Sequence, residues 1–491
     1  MTGFLPFLSF STFLPHILQY HRELLIRIDT LTNLGMGIAR VNLADFIETH
    51  DLEPKIDNDI TVDKDDNQHS EEEEPKWVVM VPNVIPGELV KARIFRNHKS
   101  YSEADLMEIV EPSPDRIEPK CPLAGECGGC QYQHMPIELQ REWKAKHVEE
   151  CFRQHKVDLE SFGIQVESTM GTEHTYHYRS KITPHYQAPG GQSRKRGRKR
   201  RRKQKTEPQD TTQQLSEDEQ QPSLPSVEAI GFQRSSVRKI IDVPHCPIAT
   251  EPLNKEYQRI REELLNQPYH QELGATLLLR QANLDNGTVV LDHKEYMTTY
   301  VNGLSFTYMA GNFFQNNLHI LPQMVDVSME KASPPVNGQK MTHFVDCYCG
   351  SGLFCLSAAN YFDTCVGIEI NAKAIEEAER NAESNGLSHK CTFEAARAEN
   401  IFDNPNVQSF PRDTTVVMLD PPRKGCDELF LNQLAKFRPV RIVYMSCNPA
   451  TQARDVNEMV SWGYKISFVQ PIDLFPQTRH IECLTVLERV N

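Results

Sequence analysis

Met445-Ser446-Cys447-Asn448-Pro449-Ala450-Thr451 follows directly on an apolar run, Arg441 to Met445, that reads as a buried strand. A cysteine just past a strand's end is well placed for chemistry, because the ligand crevice of an open α/β sheet lies outside the carboxyl ends of its strands. Taken by itself, a cysteine is more often a small buried hydrophobe than a nucleophile. What surrounds this one decides between the two.

Upstream, Phe344-Val345-Asp346-Cys347-Tyr348-Cys349-Gly350-Ser351-Gly352 runs as a strand into a glycine turn, and a helical stretch, Leu353 to Tyr361, follows. Glycines at such a turn let the backbone approach a ligand closely. One Gly-x-Gly also occurs in many inert turns. Thr364 to Ile370 reads as the next strand. Glu369 near its end sits where an acid can bind ribose hydroxyls, with a solvated surface glutamate as the plainer alternative. A helix over 371–385, closed by Gly386, precedes strands at about 390–394 and 415–419, and this alternation predicts a parallel sheet. Thr415 to Leu419 ends in Asp420-Pro421-Pro422-Arg423, where the prolines stiffen a loop that holds one carboxylate at the sheet edge; an ordinary turn would use the same residues. Asp473-Leu474-Phe475-Pro476-Gln477-Thr478-Arg479-His480-Ile481-Glu482 then feeds a final apolar strand, with Glu482 as the general-base candidate.

Five motifs stand in order: Gly311-Asn312-Phe313-Phe314-Gln315-Asn316-Asn317, Asp346-x-Tyr348-Cys349-Gly350-x-Gly352, Asp420-Pro421-Pro422-Arg423, Ser446-Cys447-Asn448-Pro449-Ala450-Thr451 and Asp473-x-Phe475-Pro476-x-Thr478-x-His480-x-Glu482. Together they strongly resemble the S-adenosylmethionine-dependent RNA uracil-5 methyltransferases, from about residue 23 to the end apart from two inserts. The resemblance implies a C-terminal class I, Rossmann-like methyltransferase domain with a seven-stranded sheet over 311–491. It implies Cys447 as the nucleophile that adds to carbon 6 of uracil and Glu482 as the base that removes the carbon 5 proton. Gln315, Tyr348, Gly350, Glu369 and Asp420 carry over as contacts to S-adenosylmethionine, with Gln315 and Asp420 nearest the reacting centre. Leu353 stands where relatives often have Asn, which removes one polar contact.

Thirteen cysteines with no recognisable secretory signal point to reduced thiols inside a cell. Cys121, Cys127 and Cys130 cluster on a glycine-loosened loop, and Cys246 can supply a fourth thiolate. Spacing alone favours zinc, with unligated thiols as a further reading. The resemblance implies a [4Fe-4S] cluster instead, in a central α+β iron-sulfur domain over 114–310. Residues 23–113 resemble a TRAM module, an OB-like β-barrel, in which Lys91, Arg93, Arg96 and Lys99 meet phosphates or form a merely solvated face.

The net charge of −14 is concentrated in one place. Thirteen acids against two lysines between Asp45 and Glu74 give −11, and subtracting that from −14 leaves −3 for all other residues. That tract, at about 45–75, reads as a disordered loop, and a basic insert at about 190–226 opens with Arg194-Lys195-Arg196. The basic block binds phosphates nonspecifically, serves as a nuclear address or is an idle linker. The N-terminal extension, 1–22, lacks the charge pattern of a targeting signal, and no run reaches a membrane span. The expected protein is a cytoplasmic monomer, with nucleus or organelle as alternatives. Its expected substrate is a looped transfer or ribosomal RNA whose uridine can leave its stack. Rival readings are a cytosine-5 or amino methyltransferase, and an RNA-binding or tRNA-folding protein that needs no catalysis.

Overall fold

The computed structural model describes residues 18–490 apart from 19, 43–75, 187–226, 228, 236, 238, 267–273, 286, 398–400 and 403. The acidic and basic inserts, and nearly all of the N-terminal extension, lie outside the described residues. Six strands, β1 (Glu23–Arg27), β2 (Thr30–Leu31), β3 (Met36–Val41), β4 (Trp77–Pro82), β5 (Leu89–Asn97) and β6 (Tyr101–Glu111), form one sheet in the order β1-β5-β6-β4-β3-β2. Strict alternation in β1 buries Leu24 and Ile26 and leaves Glu23 and Leu25 outside, as a half-buried strand requires. Of the four basic residues named for this module, three have acidic partners: Lys91 pairs with Glu23 at 2.6 Å, Arg93 with Asp105 at 3.6 Å and Arg96 with Glu103 at 3.7 Å.

Helix α1 (Ile137–Gln154) leads into a middle segment of short strands: β7 (Lys181–Ile182), β8 (His185–Tyr186), β9 (Ile230–Gln233), β10 (Ile240–Asp242), β11 (Ala275–Thr276), β12 (Leu279–Gln281) and β13 (Val289–Val290). Helix α2 (Glu251–Asn266) packs against this segment through Leu253 and Tyr257. In the stretch from Tyr178 to Ile182 only Lys181–Ile182 is strand, because Arg179 makes isolated bridges to Ala249 and Asn317 instead of a ladder. A hairpin, β14 (Tyr296–Val301) and β15 (Leu304–Met309), turns on Asn302-Gly303, both at positive φ, the signature of a two-residue hairpin turn.

The C-terminal part is a mixed α/β unit around a large sheet. Its elements are α3 (Leu321–Ala332), β16 (His343–Asp346), α4 (Leu353–Ala358), β17 (Thr364–Glu369), α5 (Ala372–Ser384), β18 (Cys391–Ala395), α6 (Pro405–Gln408), β19 (Thr415–Leu419), α7 (Glu428–Phe437), β20 (Arg441–Ser446), α8 (Pro449–Ser461), β21 (Tyr464–Ile472) and β22 (Glu482–Arg489). The strands lie in the order β18-β17-β16-β19-β20-β22-β21. Every residue of β19 and β20 is buried, which explains their unbroken apolar runs: helices cover both faces. The expectation of a parallel sheet holds for β16 to β20, but β22 runs antiparallel to both neighbours. The loop after β21 carries no helix, so the chain returns as a hairpin and slots β22 between β20 and β21.

Candidate active site

The reversal of β22 brings its first residue to the edge where the parallel strands end. Ser446 and Cys483 are the last pair of the β20–β22 ladder, so Cys447 and Glu482 are the next residues beyond its end, close enough for the Glu482 charge to act on the thiol. Asp420 follows the last residue of β19, whose partner is β20. Cys447, Asp420 and Glu482 therefore converge from three adjacent strand ends, and Arg423 reaches the same place from the Pro-Pro loop.

The electrostatics of this recess are those of crowded acids. Asp346 is fully buried; its Oδ2 accepts the Cys355 N–H at 3.1 Å, and its Oδ1 has no hydrogen-bond partner among the described residues. Burial, reinforced by Asp420, pushes its carboxyl up to about 8. Asp420 is not fully covered as a residue, yet burial alone pushes its carboxyl up to about 7. Glu482, 7% exposed, is held well above the ordinary carboxylate range by burial and then by Asp420, against the pull of Arg423. Burial, and then the charges of Glu482 and Asp420, raise the half-buried Cys447 thiol to about 11, while Arg423 opposes the rise by charge and by hydrogen bonding. Such a recess is arranged to accept a cation and to exchange a proton with a thiol.

Two side chains lock the thiol loop to the Arg423 loop. Asn448 caps α8 by accepting the Ala450 N–H at 3.3 Å, and its Nδ2 donates to the Arg423 carbonyl at 3.0 Å. Thr451 donates to the same carbonyl at 3.3 Å, and Arg423 Nη2 lies 3.3 Å from His480 Nδ1.

The remaining expected residues line the same edge or lie just beyond it. Gly350 and Gly352 turn at positive φ after β16, and Ser351 between them donates to Glu377 of α5 at 2.8 Å. Tyr348 packs its ring 5.8 Å from Phe430. Glu369 ends β17 and accepts the Asn371 N–H at 2.9 Å. Leu353 is buried at the start of α4. Gln315, 8% exposed, comes from a separate loop after β15. That loop is held by the buried Arg280, which donates to the carbonyls of Ala310, Asn312 and Phe314 at 2.6 to 3.1 Å.

Cys121, Cys127, Cys130 and Cys246 line one cavity of about 450 Å³ that also reaches Arg179, Thr478 and His480. Burial raises the thiols of Cys127, Cys130 and Cys246, Cys130 to about 12, with the neighbouring cysteines adding to each rise. The expected ready-made ligand cage is not found: among the described residues, no group of three or more His, Cys, Asp or Glu side chains is set to hold a metal ion. The donor chemistry, four thiols around one cavity, still fits a thiophilic centre.

Two features escaped sequence reasoning. Arg423 and His480 were visible only as motif letters, whereas their contact at the thiol depends on two loops meeting. The buried pair of Lys144 and Asp473, at 2.5 Å, joins residues 329 positions apart, and no local signal marks it.

A profile of the tRNA (uracil-5-)-methyltransferase family matches residues 248–490. The chain is 37% identical over 426 residues to the tRNA (uracil(54)-C(5))-methyltransferase of Schizosaccharomyces pombe, covering 84% of this chain and 74% of that protein. It is 31% identical over 533 residues to the tRNA (uracil(54)-C(5))-methyltransferase of Saccharomyces cerevisiae, covering 98% and 76%. The crystal structure of Pyrococcus abyssi tRNA (uracil-54, C5)-methyltransferase with S-adenosyl-L-homocysteine aligns with a TM-score of 0.60 at 19% identity, covering 95% of this chain and all of that one, a likeness of fold. Among the described residues no helix is long and apolar enough to cross a membrane. On sequence and fold together, this chain belongs to the tRNA (uracil-5-)-methyltransferase family.

Proposed function

We propose that the protein methylates carbon 5 of a uridine in transfer RNA, using S-adenosylmethionine and a covalent Cys447 adduct. The observation that carries this reading is the meeting of Cys447 and Glu482 just beyond the end of the β20–β22 ladder, with Asp420 and Arg423 beside them. Transfer RNA is preferred over ribosomal RNA because the two yeast relatives are named for uracil 54 of tRNA.

Carbon 5 of uracil is a weak nucleophile. Once its thiol proton has passed to water, Cys447 forms a bond from Sγ to carbon 6, and the electrons of the carbon 5–carbon 6 double bond move onto the carbonyl at carbon 4 as an enolate. Arg423 steadies the thiolate that attacks. Bound S-adenosylmethionine supplies the methyl group that carbon 5 takes up, and Gln315, Tyr348, Gly350, Glu369 and Asp420 would hold it. Carbon 5 then carries both methyl and hydrogen. Glu482, ionised, takes that proton; the electrons of the broken bond re-form the double bond and expel the Cys447 thiolate. Ionised, Asp346 and Asp420 would complement a positively charged methyl donor, whose charge would favour the form that burial disfavours.

The four-cysteine cavity, by this reading, holds a [4Fe-4S] cluster with a structural role, zinc being the alternative occupant, and the six-stranded sheet serves as a TRAM-like RNA module. Neither enters the chemistry.

Cys447→Ala is expected to abolish methylation while tRNA still binds, and Glu482→Gln to accumulate a protein–RNA adduct that survives denaturant. Tritium release from tRNA labelled at carbon 5 of uridine, against the same label in cytidine, separates this reaction from cytosine methylation. A Cys447→Ala enzyme with wild-type turnover ends the proposal.

A further inference from the structure

The strap from Asp473 to Ile481 joins β21 to Glu482 and carries an unusual clasp. Gln477 sits at φ +68, which a residue with a side chain keeps only when its surroundings hold it. Here they do. Its carbonyl accepts the N–H groups of Gln131 at 3.1 Å and Tyr132 at 3.0 Å. Its backbone N–H donates to Gln140 Oε1 at 2.9 Å, and its Oε1 accepts from Gln140 Nε2 at 3.0 Å, so the Gln140 amide grips Gln477 at both backbone and side chain. Four residues back, Asp473 accepts from Lys144 Nζ at 2.5 Å and Arg141 Nε at 3.4 Å, and the same Nζ donates to the Phe475 carbonyl at 3.2 Å.

Gln140 and Lys144 stand one helical turn apart on α1, so a single face of that helix holds the strap at both points. Gln140, Lys144 and Asp473 are all fully buried. So much buried polarity is costly unless every group is paired, which ties the strap's geometry to α1. The thiol loop is tied elsewhere, to the Arg423 carbonyl. Glu482 is the first residue of β22, anchored in the ladder opposite Ile472, and a loosened strap would fray that end of the strand first.

We propose that Gln140 and Lys144 are positioning residues for proton abstraction: by fixing the strap they set where Glu482 stands, and so govern breakdown of the covalent adduct while leaving its formation to Cys447. This rests on the adduct chemistry proposed above. It assigns to α1, a helix outside the five motifs, control of one half of the reaction.

The test uses full-length enzyme, S-adenosylmethionine and uridine-labelled tRNA, with tritium release and denaturant-resistant adduct measured from the same quenched samples. Gln140→Ala and Lys144→Met should slow tritium release by about tenfold to a hundredfold, the scale of a small misplacement of a catalytic group. The adduct fraction should rise several-fold, with S-adenosylmethionine affinity unchanged. Because Lys144→Met leaves Asp473 buried and short of its partner, the Lys144→Met/Asp473→Asn double variant carries the same expectation without an orphaned charge. Adduct and tritium release falling in parallel, or Gln140→Ala and the double variant both matching wild type, would overturn the proposal. Glu482→Gln distinguishes the two levels: if it too yields no adduct, the covalent reading fails, and with it the premise of this one.

Discussion

Replacing Asp346 by Asn should make the protein's stability less sensitive to alkaline pH, by an amount the structure sets. The carboxyl is fully buried at the end of β16, with one oxygen bonded to Cys355 N–H and the other without a hydrogen-bond partner among the described residues. Burial, reinforced by Asp420, moves it from the ordinary 3.8 to about 8. The folded value lies above the unfolded one, so the carboxyl's contribution to stability is complete below about pH 4 and is lost as pH rises towards 8. A tenfold change in proton affinity is worth about 1.4 kcal/mol. Between pH 5 and 8 the loss is therefore up to about 4 kcal/mol, since the unfolded carboxyl is ionised throughout while the folded one keeps its proton. Asn preserves the shape and the acceptor for Cys355 and cannot ionise. Even half of that ceiling, about 2 kcal/mol, would separate the urea midpoints by roughly 1 M for a slope of about 2 kcal/mol/M. Urea unfolding of both proteins at several values between pH 5 and 8, without cofactor, gives the difference directly. A difference that stays constant across that range refutes the argument that Asp346 holds its proton in the fold.

Other consequences are as direct. In the free enzyme Cys447 should alkylate slowly at neutral pH and faster as pH climbs towards 11, and Arg423→Gln should push that profile further alkaline; an unmoved profile would deny Arg423 its role at the thiol. Serine at Cys127 or Cys246 should abolish iron and acid-labile sulfide from anaerobically purified protein, whereas colourless wild-type protein carrying stoichiometric zinc would reassign the site. Gly37→Ala should destabilise the first sheet by about 1–3 kcal/mol, as overpacking does, because the new methyl would lie 2.3 Å from Val84 Cγ2 and 2.9 Å from Ile28 Cγ2. An unchanged denaturation midpoint would show that β3 can shift to make room.

What could be read in the chain, and what could not, divides on how far apart the partners lie. The strands Thr415–Leu419 and Arg441–Ser446 were legible because burial on both faces writes itself as an unbroken apolar run. The surroundings of the basic residues of β5 were hidden for the opposite reason. Their acids, Glu23, Asp105 and Glu103, sit across the ladder on β1 and β6, so Lys91, Arg93 and Arg96 looked free along the chain while being paired across it. The facing of Cys447 and Glu482 lay beyond any one-dimensional pattern, because it follows from the direction of a single strand. Had a helix replaced the strap after β21, β22 would have entered parallel and put Glu482 at the far end of the sheet, a strand's length from the thiol. The strap is thus what brings a carboxylate to the strand end that carries the Cys447 thiol, the arrangement that the proposed mechanism uses. That is why the polar contacts holding the strap, from Gln140 and Lys144, fall on a helix more than three hundred positions away, where no motif would place them.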